Sequence, residues 1–329
     1  MTAPVGRRRF IGAATALLAT GASWDALAKS PPRIGWLKIQ GPRHSPDQLQ
    51  AFRAGMHELG MVEGRDYALE ERYANGKGAL LPSLAAELVT AGVSIILATS
   101  QPSIAAAARV TRSVPVIGRM NDDPVANGMA RSLAHPGGNV TGIYALAEKL
   151  NPKRLSLLKN VVPSLRRVGV LLRRDWSNAA HDWQVLEKAG RELKLELLEL
   201  NARSADDLTA AFEEASAKRI DGLMTFRNPT VVTYLKLIVA LCREHRLPAV
   251  FDAGEYVAAG GLMSYGPNID TIYRQLATYA SRLLRGALPS DLPIEQPTQF
   301  ELVINLKTAD ALGLAIPKSV LLRADRVIE

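Results

Sequence analysis

Thr99, Ser100 and Gln101 break an apolar run at residues 93–98 and are followed by Pro102, a residue suited to the first helical position. A helix opening there presents unpaired backbone N–H groups and a partial positive charge to whatever lies beyond the strand. The next apolar run, residues 115–118, ends in Arg119, Met120, Asn121, Asp122, Asp123 and Pro124, which adds amide and carboxylate acceptors. Three later strand-to-helix turns repeat the pattern: Arg174, Trp176, Ser177 and Asn178 after 168–172, Asn228 after 222–226, and Asp252 after 249–251. The candidate ligand-binding set is therefore Thr99, Ser100, Gln101, Asn121, Asp123, Arg174, Trp176, Asn178, Asn228 and Asp252. Such a set can hold a small polar solute without altering it. Amide donors suit a carboxylate, Asp123 or Asp252 could balance an ammonium, and Trp176 could stack on a planar group or cover a cation.

Several of these residues also read as ordinary helix caps. Asn228 precedes Pro229 and Asp123 precedes Pro124, the arrangement of an N-cap before a first-turn proline. Asp252 with Glu255 three residues on resembles a capping box. Signals for catalysis are poor. His44, His57, His135, His181 and His245 are far apart, without the spacing of a zinc-binding helix, and no Gly-x-Ser-x-Gly elbow occurs. Cys242 stands alone in an apolar helical stretch, which excludes an intrachain disulfide and reads as a buried thiol. The loop after the first strand has Gly41 alone where a dinucleotide site needs three spaced glycines. The residues thus call for no enzyme activity, no cofactor and no metal.

Positioning the turns requires a sheet. The expected order is strand 33–39, helix 46–59 closed by Gly60, strand 67–73, helix 80–91, strand 93–98, helix 102–110 and strand 115–118. Gly137, Gly138 and Gly142 then punctuate a turn into a short strand. From residue 153 the rhythm restarts: helix 153–162, strand 168–172, helix 179–193, strand 195–200, helix 205–217, strand 222–226, helix 231–244, strand 249–251. A strand at 260–265, an amphipathic helix at 269–284 and a strand at 300–306 follow. Alternating strands and helices give an α/β fold of two Rossmann-like parallel-sheet lobes, and the tail completes them through a multi-strand hinge. In open α/β sheets ligands bind beyond the carboxyl ends of the strands, where all the candidate turns lie. The first lobe is expected over 29–145 plus about 253–290, and the second over 146–252 plus about 291–329.

The 329 residues are 47% hydrophobic and only 5% aromatic, enough for two aliphatic cores. The formal charge of +8 is spread along the chain without an aromatic nucleic-acid signature, so no nucleic-acid partner is expected. Residues 1–28 read as a leader. Arg7, Arg8, Arg9, Phe10 and Ile11 match the twin-arginine pattern, a weakly apolar run follows, and Ala26, Leu27 and Ala28 form a small-x-small cleavage site. The expected mature chain begins at Lys29 and is periplasmic, soluble and monomeric.

The chain resembles the substrate-binding proteins of ABC transporters with a type I periplasmic-binding fold, in the branch linked to tryptophan and related amino-acid uptake. The resemblance runs from about residue 33 to 328. It is carried by Phe52-Arg53-Ala54-Gly55 with Leu59-Gly60-Met61-Val62-Glu63-Gly64-Arg65, by Asp123-Pro124-Val125, by Pro136-Gly137-Gly138-Asn139-Val140-Thr141-Gly142, and by Leu312-Gly313-Leu314 with Ile316-Pro317. It implies capture of a small solute, an amino acid or a related compound, between the lobes and delivery to an ABC permease in the membrane. It also implies ligand contacts at Ser100, Gln101, Asn121 and Asp123. On that reading the carboxylate would accept bonds from the N–H groups of Ser103 and Ile104 and from Ser100. The turns at 99–102 and 173–176 depart from the common pattern of the family. Two alternatives remain open on sequence: a ligand-sensing partner of a membrane signalling receptor, and an α/β enzyme.

Overall fold

Two sheets repeat one strand order. The computed structural model describes residues 1–2, 30–44, 46–175 and 179–329. In the first half β1 (Arg33–Lys38), α1 (Pro46–Glu58), β2 (Ala68–Tyr73), α2 (Leu81–Thr90), β3 (Ile95–Ala98), α3 (Gln101–Val110), β4 (Val116–Met120) and β5 (Val140–Tyr144) alternate. They form a five-stranded sheet of order β2-β1-β3-β4-β5, parallel throughout. The second half runs α4 (Ala147–Val161), β6 (Arg167–Leu172), α5 (Ala179–Glu192), β7 (Glu196–Asn201), α6 (Ala205–Ala217), β8 (Gly222–Thr225), α7 (Pro229–Thr233), α8 (Leu235–Glu244), β9 (Ala249–Phe251), α9 (Gly254–Ala258) and β10 (Met263–Gly266). After it come α10 (Ile269–Leu284), β11 (Glu301–Asn305), α11 (Leu306–Leu312), α12 (Lys318–Leu321) and β12 (Arg326–Ile328). The seven-stranded sheet has the order β12-β11-β10-β9-β8-β6-β7, with β11 antiparallel to β10. Chain direction across each sheet reverses at one place, between β1 and β3 and again between β6 and β8, and that is where an open α/β sheet leaves a crevice.

The central strands are apolar because both faces are covered. Ile34, Trp36, Ile95, Leu97 and Ile117 pack on one side of the first sheet, Leu37, Ile96, Ala98 and Val116 on the other. Val168, Val170, Met224 and Val250 face one core of the second sheet, and Leu171, Leu223 and Phe251 the other. The return of the chain to the first sheet comes later than expected. The segment from residue 253 was assigned to the first lobe, yet α9 and β10 belong with the second sheet, β10 pairing with β9 and β11. The chain crosses back with α10. Its apolar stripe of Ile272, Tyr273, Leu276, Ala277 and Ala280 joins the core of Trp36 and Phe52. It approaches α1 at Gly55, where a Cβ would lie 2.8 Å from the Cα of Arg274. Residues 294–295 then add a short edge beside β5, Glu295 N donating to Gly142 O at 3.0 Å and Tyr144 N to Glu295 O at 2.9 Å. The chain therefore passes between the sheets three times, at 144–147, 266–269 and 295–301.

Three elements differ from expectation. Helix 231–244 is two helices that meet at Tyr234 (φ −103°, ψ 24°); the β-branched Val231, Val232 and Thr233 weaken a continuous helix there. α4 begins at Ala147, ahead of the expected start at 153, and Pro152 lies inside it. β12 is too short to show periodicity. Residues Pro31–Glu329 form one compact unit. The expected leader, apart from Met1 and Thr2, lies outside the described residues. Among the described residues no helix is long and apolar enough to cross a membrane.

Candidate functional site

The carboxyl ends of β1, β3 and β4 meet that of β8 around one buried cavity. From the first half it is lined by Gln40, Gln48, Thr99, Ser100, Arg119 and Asn121, and from the second by Arg227, Asn228, Pro229 and Val232. Its volume is about 30 Å³, room for a water molecule or two. Pockets that enclose organic ligands run to about 300–1,000 Å³. A larger solute can enter here only if the two halves part or the lining side chains move.

Each lining residue is placed by its local fold. Ser100 is the extended residue before α3 (φ −153°, ψ 158°), and its carbonyl accepts from Ile104 N at 2.9 Å. The Ile104 N–H, expected as a carboxylate donor, is therefore used inside the helix. The hydroxyls of Ser100 and Ser103 bond each other at 2.8 Å. Asn121, one residue past β4, is buried with no partner for its Oδ1 among the described residues, and the buried Gln101 Oε1 is likewise without one among them. Asn228 caps α7: Oδ1 accepts from Val231 N at 3.1 Å, while Nδ2 donates to Phe226 O at 3.0 Å. It thus lines the cavity and caps at once.

Charge gives the site its character. Arg227 Nη1 donates to Asp252 Oδ2 at 2.8 Å, and its Nη2 reaches Glu255 Oε1 at 3.2 Å. Burial opposes the Arg227 charge, but Asp252 and Glu255 outweigh it and hold the guanidinium above its ordinary pKa. Burial likewise pushes Asp252 upward, and Arg227, Arg154 and Arg119 more than reverse it, leaving the carboxyl below its ordinary value. Arg154 donates Nε to Tyr265 O at 2.7 Å and Nη1 to Asn151 Oδ1 at 2.6 Å. Arg119, 4% exposed, has no partner for its Nε, and no ion pair reaches it among the described residues. Burial and the facing Arg227 lower its pKa to about 10, against the pull of Asp252. Lys38, at the end of β1, donates to His44 O, and burial lowers it to about 8 although Glu255 favours its charge. Cations from both sheets therefore converge on two carboxylates.

Of the residues expected from sequence, Thr99, Ser100, Asn121 and Asn228 are brought together around the cavity, with Gln101 adjoining Ser100 and Asp252 behind Arg227. Asp123 serves its own turn, Oδ1 accepting from Val125 N at 2.8 Å and Ala126 N at 3.1 Å. Arg174 is exposed, pairs with Glu199 and is not among the lining residues of this cavity. Trp176 and Asn178 lie outside the described residues. Sequence reasoning missed Gln40, Gln48, Arg119 and Arg227. The signal for the two arginines was present: each is a lone charge at the end of an otherwise apolar strand, in Val-Ile-Gly-Arg-Met and Leu-Met-Thr-Phe-Arg. The supposed capping box is a different device. Ala253 is the N-cap of α9 without a side-chain bond, and Asp252 and Glu255 both take Arg227.

Comparison with known proteins adds to this geometry. Residues 44–328 match the family model described as ABC transporter substrate binding protein. A tyrosine-binding protein of Clostridioides difficile is 24% identical over 266 residues, 80% of this chain and 76% of that protein. Among solved structures, an ABC domain in complex with L-Trp from Streptococcus pneumonia superposes with a TM-score of 0.81 at 23% identity, covering 91% of this chain and all of that one. A conserved domain protein from Vibrio cholerae gives 0.81 at 24% identity over 90% of this chain and 99% of that one. A ligand-free, open substrate-binding protein with adhesive properties from Clostridium difficile gives 0.65 at 21% identity over 90% and 99%.

Proposed function

Because the chain belongs to the ABC transporter substrate-binding protein family, we propose that it captures an amino acid or a closely related solute between its two sheets and presents it to a membrane permease. The observation that carries this reading is the buried cavity at the switch points of both sheets, lined by Thr99, Ser100 and Asn121 from one half and Arg227 and Asn228 from the other. The tyrosine-binding relative and the L-Trp complex point to aromatic amino acids as the first solutes to try. We take the halves divided by the three crossings as lobes that move about them. A multi-strand hinge permits opening while limiting twist, and the small volume between the halves requires such opening before a solute enters.

A twin-arginine leader would put this capture outside the cytoplasmic membrane: the Arg7-Arg8 pair would direct export, and replacing both with lysine is expected to hold the protein in the cytoplasm. Native mass spectrometry of the protein purified from its own cells tests the ligand class. A bound amino acid supports the reading, and a bound sugar or nucleoside contradicts it.

A further inference from the structure

The buried charges of the cleft are unevenly shared. Arg227 holds Asp252 and Glu255 at 2.8 and 3.2 Å, whereas Arg119 lines the same cavity from the opposite half with its Nε unpartnered and no ion pair among the described residues. Removing a guanidinium from water is costly unless an anion compensates it. Asp252 and Glu255 act on Arg119 through space, but both are hydrogen-bonded to Arg227, and Asp123 is held by the amides of its own turn. Asp252 keeps one oxygen, Oδ1, without a hydrogen bond, but the fields of Arg227 and Arg154 already act on it ahead of Arg119. Beside Arg119 in the cavity, Asn121 offers an Oδ1 that no donor among the described residues reaches. The site thus presents a free planar cation and a free neutral acceptor.

Resting on the amino-acid reading above, we infer that Arg119 receives the ligand's carboxylate and that its ammonium is read by a neutral carbonyl oxygen, that of Asn121, not by an acidic side chain. A guanidinium fork meets a carboxylate with two parallel, charge-assisted hydrogen bonds, which a point charge cannot reproduce. Selectivity follows from the inequality of the two contacts. Loss of the carboxylate leaves Arg119 buried without an ion-pair partner among the described residues, while loss of the ammonium leaves only an amide oxygen unsatisfied. The cleft is therefore a carboxylate receptor that accepts an amine.

Calorimetric titration with L-tyrosine, L-tryptophan, 3-phenylpropanoate and tyramine reads this directly, on the full chain and on Arg119→Gln and Arg119→Lys. The wild type is expected to bind the amino acids and, within about tenfold, 3-phenylpropanoate, and not to bind tyramine. Arg119→Gln is expected to lose at least about 100-fold, equivalent to about 2.8 kcal/mol, with Arg119→Lys intermediate. The melting temperature of the unliganded Arg119→Gln protein is expected to rise, because an uncompensated charge has gone; a purely structural arginine would give a fall. Unchanged affinity in Arg119→Gln, or tyramine binding as well as L-tyrosine, overturns the inference while leaving the amino-acid reading intact. Binding of 3-phenylpropanoate alone, lost in Arg119→Gln, upholds the carboxylate contact at Arg119 and overturns both the ammonium contact at Asn121 and the amino-acid reading. Should no carboxylate bind the wild type, both fall.

Discussion

Arg227 Nη1 and Asp252 Oδ2 lie 2.8 Å apart, with their side chains 6% and 2% exposed, at the wall where the second sheet meets the cleft. The end of β8 supplies the cation and the end of β9 the anion, so the pair ties neighbouring strand ends together beneath the cavity. Glu255, in the first turn of α9, shares the guanidinium. A buried pair is expensive to break by halves, since the surviving charge is left in a medium that cannot solvate it.

Arg227→Met is expected to destabilise the protein by about 3–5 kcal/mol, and Arg227→Met with Asp252→Asn by less than the sum of the two single changes, because the two residues share one interaction. Urea unfolding of the four proteins measures both. The pair also fixes the acid limb of stability. Asp252 titrates below its ordinary value in the folded chain, so its contribution is complete above the unfolded carboxylate pKa of about 3.9 and is lost as pH falls through the folded value. Melting curves should show Asp252→Asn losing that acid dependence.

Lys38 acts with the opposite sign of burden. Its folded pKa is lowered to about 8 from 10.5 by burial, so between those values the unfolded chain binds more protons and stability rises with pH. Denaturant melts from pH 7 to 10 should show that rise in the wild type, and Lys38→Met should flatten it. A wild-type profile that falls over the same interval contradicts the assignment.

Gly266 ends β10 where a Cβ would stand 1.9 Å from Asp252 O. The atom it meets is backbone and cannot swing aside. Gly266→Ala is expected to cost about 1–3 kcal/mol, as overpacking does, and to weaken solute affinity by displacing the strand end that carries Asp252. Chemical denaturation and titration of the same preparation separate the two effects.

Asn228 offers a control on reading caps as ligand contacts. Both ends of its amide are engaged by its own chain, so Asn228→Ala should cost about 1 kcal/mol through the lost cap. Asn228→Ser, which keeps a neutral accepting oxygen for Val231 N, should restore part of it in a thermal melt.

The architecture was legible because the strands are short apolar runs and the turns between them carry their own chemistry. The residues 93–98 run, Pro102 and the Ala-rich helix mark a strand end and a helix start, and Thr99, Ser100 and Asn121 follow from where open sheets bind. Arg119 and Arg227 were not legible by the same route. A lone arginine at a strand end is exposed in most folds, and each of these is buried where its own half of the chain meets the other, a contact that no local pattern reveals. Pairing is equally nonlocal: Asp252 and Glu255 have capping spacing, and nothing between them reveals that Arg227, 25 residues earlier, takes both. The β10 assignment failed for a related reason, since Met263–Gly266 has no local mark of which sheet it joins.

The measurement that bears most directly on solute capture at this cavity is calorimetric titration of residues 29–329 with L-tryptophan and L-tyrosine, repeated on Ser100→Ala with Asn121→Ala. One-to-one binding near micromolar affinity, about 8 kcal/mol, that the double variant weakens at least tenfold is the expected result. Binding that the double variant leaves untouched, or no binding of either amino acid, contradicts it.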